Sequence, residues 1–234
     1  MMDGRWAVIF LLAGGILTIF LYAVREREIS AATNALVALA LVAVPQGLTV
    51  VLRSTGSPDL ALGPELPLWI AVAGLLHSIG MLGPYETIWW WDHLTHTVSA
   101  ALVAALIYAG AIVALRAGNG ADPSVILLAT ITVTLTFAVG VLWELIELVA
   151  RDVGERLDVE PVLVHYGWID TGLDLVFDVA GALIVLVLDF RTFVPVAQQF
   201  ADATGPVIKV SGVFVIVASA ALTLIVSHRL NPGD

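Results

Sequence analysis

Long apolar runs with few polar interruptions dominate the chain, and seven of them read as membrane spans: 6–24, 31–52, 67–82, 93–115, 123–149, 170–188 and 207–227. A spanning helix needs about 20 predominantly apolar residues. The third run is the shortest and carries His77, and the second contains Pro45 and Gln46, which neighbouring helices can accommodate. Trp89, Trp90 and Trp91 precede the fourth run, where an aromatic belt at the lipid–water boundary is expected. The stretch 116–123 holds two glycines, an asparagine and a proline, and reads as a turn into the fifth run. These runs predict an all-α, polytopic transmembrane bundle of about seven spans, forming one integral membrane domain over 1–234. Between the last two runs, Phe190, Phe193, Val194, Ala197, Phe200 and Ala201 recur at helical spacing, so 189–206 reads either as a short helix in the interface plane or as a linker.

Composition agrees with the pattern. Hydrophobic residues make up 59% of the chain and mean hydropathy is +0.98, whereas soluble domains are about 45–50% apolar. Run 6–24 is long enough to span and no small-residue cleavage pattern follows it, so the N-terminus reads as a span rather than a removable signal. The 20 acidic residues outnumber 10 basic ones, of which one is a lysine, Lys209. Such an acidic, lysine-poor surface suits a high-salt habitat, where screening weakens self-repulsion, and points to a halophilic archaeon; it excludes nucleic acid as a partner. Arg and Lys divide evenly between the two sides of the membrane, so the positive-inside rule assigns no orientation. No cysteine is present, which excludes disulfides and thiolate metal ligands.

Three polar clusters interrupt the apolar runs. Asp92, His93 and His96 open the fourth, Glu144 and Glu147 lie near the end of the fifth, and Asp170, Asp174 and Asp178 open the sixth. In a serpentine of spans these three places share one membrane face. Spacings of three, four and eight residues put each set on one side of its helix. A charge at bilayer depth costs roughly 2.5–3.5 kcal/mol on insertion scales, so Asp174 and Asp178, one and two turns inside the sixth run, mark a functional site. Asp170 reads equally as a helix N-cap. Glu147 can pair with Arg151 at the helix end, His77 reads as a hydrogen-bonded core histidine, and His165 as a plain loop residue.

Histidines and carboxylates brought together half-buried need a compensating cation or protons. A mixed set suits Zn, Mn or Fe better than Mg or Ca. The expected metal ligands are His96, Glu144, Glu147, Asp170 and Asp174, and the expected catalytic residues are Asp92, His96, Glu144, Glu147 and Asp174.

On these residues the chain resembles the VanZ-like membrane proteins and, more closely, the YjdF-like group. Those families carry Asp-x-x-x-His-Phe at the start of one span, Tyr-Glu-x-x-Glu at the end of the next and Asp-Thr-x-x-Asp opening the one after, with Gly-Ala seven residues later. Asp92 and His96 match the first element, with Thr97 in place of Phe; Glu144 and Glu147 match the second, with Trp143 in place of Tyr; Asp170, Thr171 and Asp174 match the third, followed by Gly181 and Ala182. Asp178 stands where VanZ-like chains tend to have Asn, and Tyr166 and Gly167 stand where a Gly-Asp pair often precedes the third element. The resemblance covers 85–188, a core that carries the polar site, and it implies a multi-pass protein of the cell membrane with no settled activity. Three functions remain open at this level: a metal-dependent enzyme acting on a lipid or lipid-linked headgroup, a proton- or cation-coupled permease, and a non-catalytic membrane protein with a structural polar network. Membrane lipids are the expected partners.

Overall fold

The computed structural model describes residues 4–56, 61–119, 123–157 and 167–230; His165 and the acidic residues Asp158 and Glu160 lie outside them. Among the described residues all regular structure is helical: α1 Gly4–Glu26, α2 Ile29–Ser54, α3 Glu65–Gly80, α4 Pro84–Thr87, α5 Trp91–Asn119, α6 Val125–Leu157, α7 Trp168–Val187, α8 Val194–Gln198 and α9 Ala201–Leu230. Five of them, α1, α2, α5, α6 and α9, are long and apolar enough to cross a membrane. The chain is thus an all-α, multi-pass membrane protein. The other two expected spans differ for identifiable reasons. α3 is only 16 residues long, and α7 carries three aspartates, too many charges for an ordinary lipid-facing span. The last span starts earlier than its apolar run suggests, because α9 begins at Ala201 and runs through Pro206.

The chain divides into two compact units, Met1–Thr95 and His96–Asp234. In the first, α1, α2 and α3 pack together. Ile9, Val42 and Ala71 form one buried cluster and Ile16, Ala35 and Ala38 another. Small residues carry this packing. A Cβ on Gly74 would come within 2.9 Å of the Ala38 Cβ, so α2 and α3 approach closely there. Pro45 sits inside α2, where it removes a backbone donor. Nearby, the residues leading into α3 fold against α2: Gln46 Nε2 donates to the Leu62 carbonyl at 3.3 Å, and the Leu62 amide donates to Thr49 Oγ1 at 3.4 Å. Arg5 and Glu65 form an ion pair between α1 and α3.

In the second unit, α6 packs on both α7 and α9, and α5 packs on α7 and α9. Gly110 on α5 lies against Ile208 and Thr204 of α9, and Gly212 on α9 against Leu135 of α6. The closest approach is at Gly181. A Cβ there would stand 2.5 Å from the Thr97 carbonyl oxygen and 2.9 Å from the Ala101 amide nitrogen, both backbone atoms of α5. Backbone cannot step aside as a side chain can, so only glycine fits. The apolar faces turned outward, with Leu224 at 69% and Val210 at 69% exposure on α9, have the character of lipid-facing surface.

Gly181→Ala is expected to destabilise the second unit by about 1–3 kcal/mol through overpacking. Gly172→Ala, where the added methyl meets nothing within 4 Å, should be neutral or stabilise by up to about 1 kcal/mol. Thermal unfolding in detergent micelles checks both, and equal effects at the two positions would refute the close contact.

Candidate functional site

The second unit gathers polar side chains from three helices at one end: His96 near the start of α5, Glu144 in the C-terminal half of α6, and Asp174 and Asp178 in the first turns of α7. All four are at least nine-tenths buried, with exposures of 7%, 3%, 2% and 5%. Their helices meet here because glycine lets them. Gly181 admits α7 against the α5 backbone, and Thr97 Oγ1 donates to the Phe177 carbonyl at 3.4 Å across the same seam. Gly140 leaves room on α6 for the Asp178 carboxylate, whose Oδ2 would be 2.2 Å from a Cβ built there.

The central contact joins residues 82 positions apart. His96 Nδ1 lies 3.2 Å from Asp178 Oδ1. When the carboxylate is ionised it only accepts, and the imidazole then carries its proton on Nδ1 in this contact. In a neutral ring Nε2 is then the acceptor, pointing away from Asp178. One ring nitrogen of His96 and one carboxylate oxygen of Asp174 lie within 4.8 Å of each other. Glu144 completes the group. Thr171 of α7 hydrogen-bonds to its carboxylate, and its ionisable neighbours are His96, Asp174 and Asp178. Its other oxygen, Oε1, is buried and makes no hydrogen bond among the described residues. Three carboxylates surround one imidazole, and a buried carboxylate oxygen without a donor costs about 1–3 kcal/mol or more.

Among the other expected site residues, Asp92 offers a carboxylate oxygen within 4.8 Å of a His96 ring nitrogen. Asp92 occupies the first turn of α5, one turn before His96 on the same helix, and is half-buried. Thr95 Oγ1 donates to its carbonyl at 2.7 Å. His93 is buried, with its ring edge-on to Trp89 at a centroid distance of 6.3 Å. Glu147 is half-buried and accepts from Trp143 Nε1 at 2.7 Å. Asp170 is not the cap of α7. The helix begins two residues earlier at Trp168, and its N-cap is Gly167, whose φ of 118° glycine adopts without strain. Asp170 instead lies in the first turn, where a carboxylate is favoured by the helix dipole. His77 bonds Tyr85 through Nδ1 and belongs to the first unit.

Asp178 is the acid that sequence reasoning left outside both the catalytic and the ligand sets. Its eight-residue offset from Asp170 was the available signal, since it continues the same helix face inward. The Asp-Thr-x-x-Asp element marks Thr171 but gives it no partner, and Gly140 carried no signal, since a glycine in an apolar run is common; only the packing of α6 on α7 gives them partners.

Residues 7–194 match a family described as "Predicted membrane protein (DUF2238)". No curated protein and no solved structure matches the chain.

A double-mutant cycle on His96→Ala and Asp178→Ala should give a coupling free energy of about 0.6–2 kcal/mol, the range of hydrogen bonds between membrane helices. Reversible unfolding in micelles measures it. Strictly additive losses would mean that the 3.2 Å contact contributes nothing.

Proposed function

This chain belongs to the DUF2238 family of predicted membrane proteins, and we propose that its buried His/Asp/Glu cluster holds a divalent metal ion and acts on a membrane-lipid headgroup. The observation that carries the proposal is Glu144 Oε1, a buried carboxylate oxygen with no donor among the described residues, set among Asp174, Asp178 and His96. Excess buried negative charge calls for a cation, and the chemistry of the donors says which kind. Asp178 takes the Nδ1 side of His96 and leaves Nε2 as a ligand atom, the carboxylate–histidine arrangement found behind metal-bound imidazoles. His96, Asp174 and Glu144 make one nitrogen and two oxygen donors, a set suited to Zn, Mn or Fe. Asp92, one turn before His96 on the same helix, is the candidate general base. A bound metal would polarise a phosphoryl or acyl oxygen or lower the pKa of a water. Glu147, which accepts from Trp143, and Asp170, in the first turn of α7, are not used in this donor set.

The resemblance to VanZ-like and YjdF-like chains supports the same reading. Its three elements contribute His96, Glu144 and Asp174, so the motif would describe one site rather than three unrelated positions. The site's place near one end of α5 and α7 suits a substrate whose tail stays in lipid, and with that reading the protein works in the cell membrane, with lipids as its partners. The acid-rich, lysine-poor composition supports a high-salt habitat.

Elemental analysis of detergent-purified protein should find Zn, Mn or Fe near one per chain, lost in Asp174→Asn and in Glu144→Gln. Asp178→Asn should weaken metal affinity about 10–100-fold, as loss of a histidine's carboxylate partner does. Metal content unchanged by Asp174→Asn would sink the proposed site. Metal-free protein with a pH-dependent ion flux abolished by Asp174→Asn would replace the enzyme by an ion-coupled permease.

A further inference from the structure

From Leu128 to Leu148 the buried positions of α6 form a single row at four-residue spacing: Leu128, Thr132, Thr136, Gly140, Glu144 and Leu148. Residues four apart are neighbours on a helix, about 5–6 Å between Cβ atoms, and such rows are the ridges along which helices pack. The row is apolar at its two ends and polar in between. Thr132, at 0% exposure, and Thr136, at 2%, each hold a buried hydroxyl oxygen with no hydrogen-bond partner among the described residues, as Glu144 does at Oε1. At Gly140 the polar atom comes from α7, because Asp178 Oδ2 fills the place that a side chain there would take. Four oxygens thus follow one another along the row, and the buried cluster described above uses only the last two.

A threonine inside a helix can satisfy its hydroxyl by donating to the carbonyl four residues back. Thr130 on the same helix does so to the Ile126 carbonyl at 2.8 Å, as do Thr18 on α1, Thr49 on α2 and Thr223 on α9 to theirs. Thr132 and Thr136 make no such bond. Buried polar groups are ordinarily satisfied, so these two hydroxyls call for a partner that both donates and accepts. Water fits the spacing: two hydrogen bonds of about 2.8 Å join oxygens about 5.6 Å apart, the separation of successive positions in the row. The row also leads to an opening. Leu128, one turn before Thr132, lines with Ala129 a cavity of about 370 Å³ at the end of α7 away from the cluster. In its wall Asp189, left-handed at φ 46°, accepts at Oδ1 from Tyr108 Oη and Arg191 Nε.

We infer that Thr132 and Thr136 bind a short file of water that joins the Asp178 carboxylate to this cavity, so that the buried cluster is hydrated from the end of the helices opposite its own. One water bridges Thr132 and Thr136, and one bridges Thr136 and Asp178 Oδ2. The Thr136 hydroxyl, which donates and accepts, links the two. Buried water persists where polar atoms give each molecule two or more partners, and this row supplies them inside an otherwise apolar seam. The file is independent of the metal proposed for the cluster. Neither threonine belongs to the donor set, and Asp178 turns its other oxygen, Oδ1, to His96.

The test uses full-length protein in deuterated micelles, with threonine and alanine methyl groups labelled for NMR. The Thr132 and Thr136 methyls, assigned through Thr132→Val and Thr136→Val, should show cross-peaks at the water frequency. The Ala35 methyl, equally buried in an apolar cluster of the first unit, should show none. Thermal unfolding gives a second reading whose sign separates a wet row from a dry one. Valine keeps the shape of threonine without the hydroxyl, so in a dry row it removes an unpartnered polar group and raises the unfolding temperature or leaves it unchanged. In a hydrated row it strands a water, and each variant should unfold roughly 2–4 °C lower, the scale of one lost hydrogen bond in a chain of this size. Thr136→Val combined with Asp178→Ala should lose less than the two separate losses together, because both remove the same bridge. The file is overturned if neither threonine methyl meets water, if both valine variants unfold at or above the wild-type temperature, or if the losses of Thr136→Val and Asp178→Ala simply add. Metal content is read separately: metal-free protein that shows both water signals would remove the proposed metal site and support the file.

Discussion

His96, Glu144, Asp174 and Asp178 are ionisable groups inside a bundle with an apolar exterior, and the second unit is organised so that they meet one another instead of lipid. Placing any one of them toward hydrocarbon would cost several kcal/mol, which few single packing contacts could offset. The pairing of His96 with Asp178 therefore constrains the rotation of α5 and α7 about their axes. Once that rotation is set, Gly181 must face the Thr97–Ala101 backbone and Gly140 must lie under the Asp178 carboxylate. The glycines and the charges describe one requirement: close helix approach brings the polar groups within reach, and polar contact specifies which faces approach.

The two ends of these helices handle charge in different ways. At the His96 end, negative charge is buried and one oxygen of Glu144 has no donor among the described residues. At the Asp189 end the carboxylate is half-exposed and doubly hydrogen-bonded, and a backbone strained away from the common conformations holds it in place.

In the first unit the α1–α3 packing rests on alanine and glycine seams, of the kind that stabilise membrane helices without chemistry. Its polar contacts include a chain that runs from His77 through Tyr85 and Thr95 to Asp92.

Several properties were determined by the chain's sequence alone. Runs of apolar residues dictate membrane helices wherever they occur, since a backbone in hydrocarbon must satisfy its own hydrogen bonds, and so the all-α class and most helix positions could be read directly. Asp174 stood out for the same reason, as a charge inside such a run. Helix ends were less legible, because Trp168 and Ile169 extend α7 backward past Asp170 and residues 201–206 join α9, choices made by local hydrogen bonding rather than by hydropathy. Tertiary structure alone decided which acid faces His96, that Glu144 is buried while Glu147 turns to Trp143, and that Tyr108, Asp189 and Arg191 converge. Periodicity assigns a residue to a side of its own helix. Which neighbour that side meets depends on the rotation and depth of a second helix, quantities set by contacts between residues up to 82 positions apart.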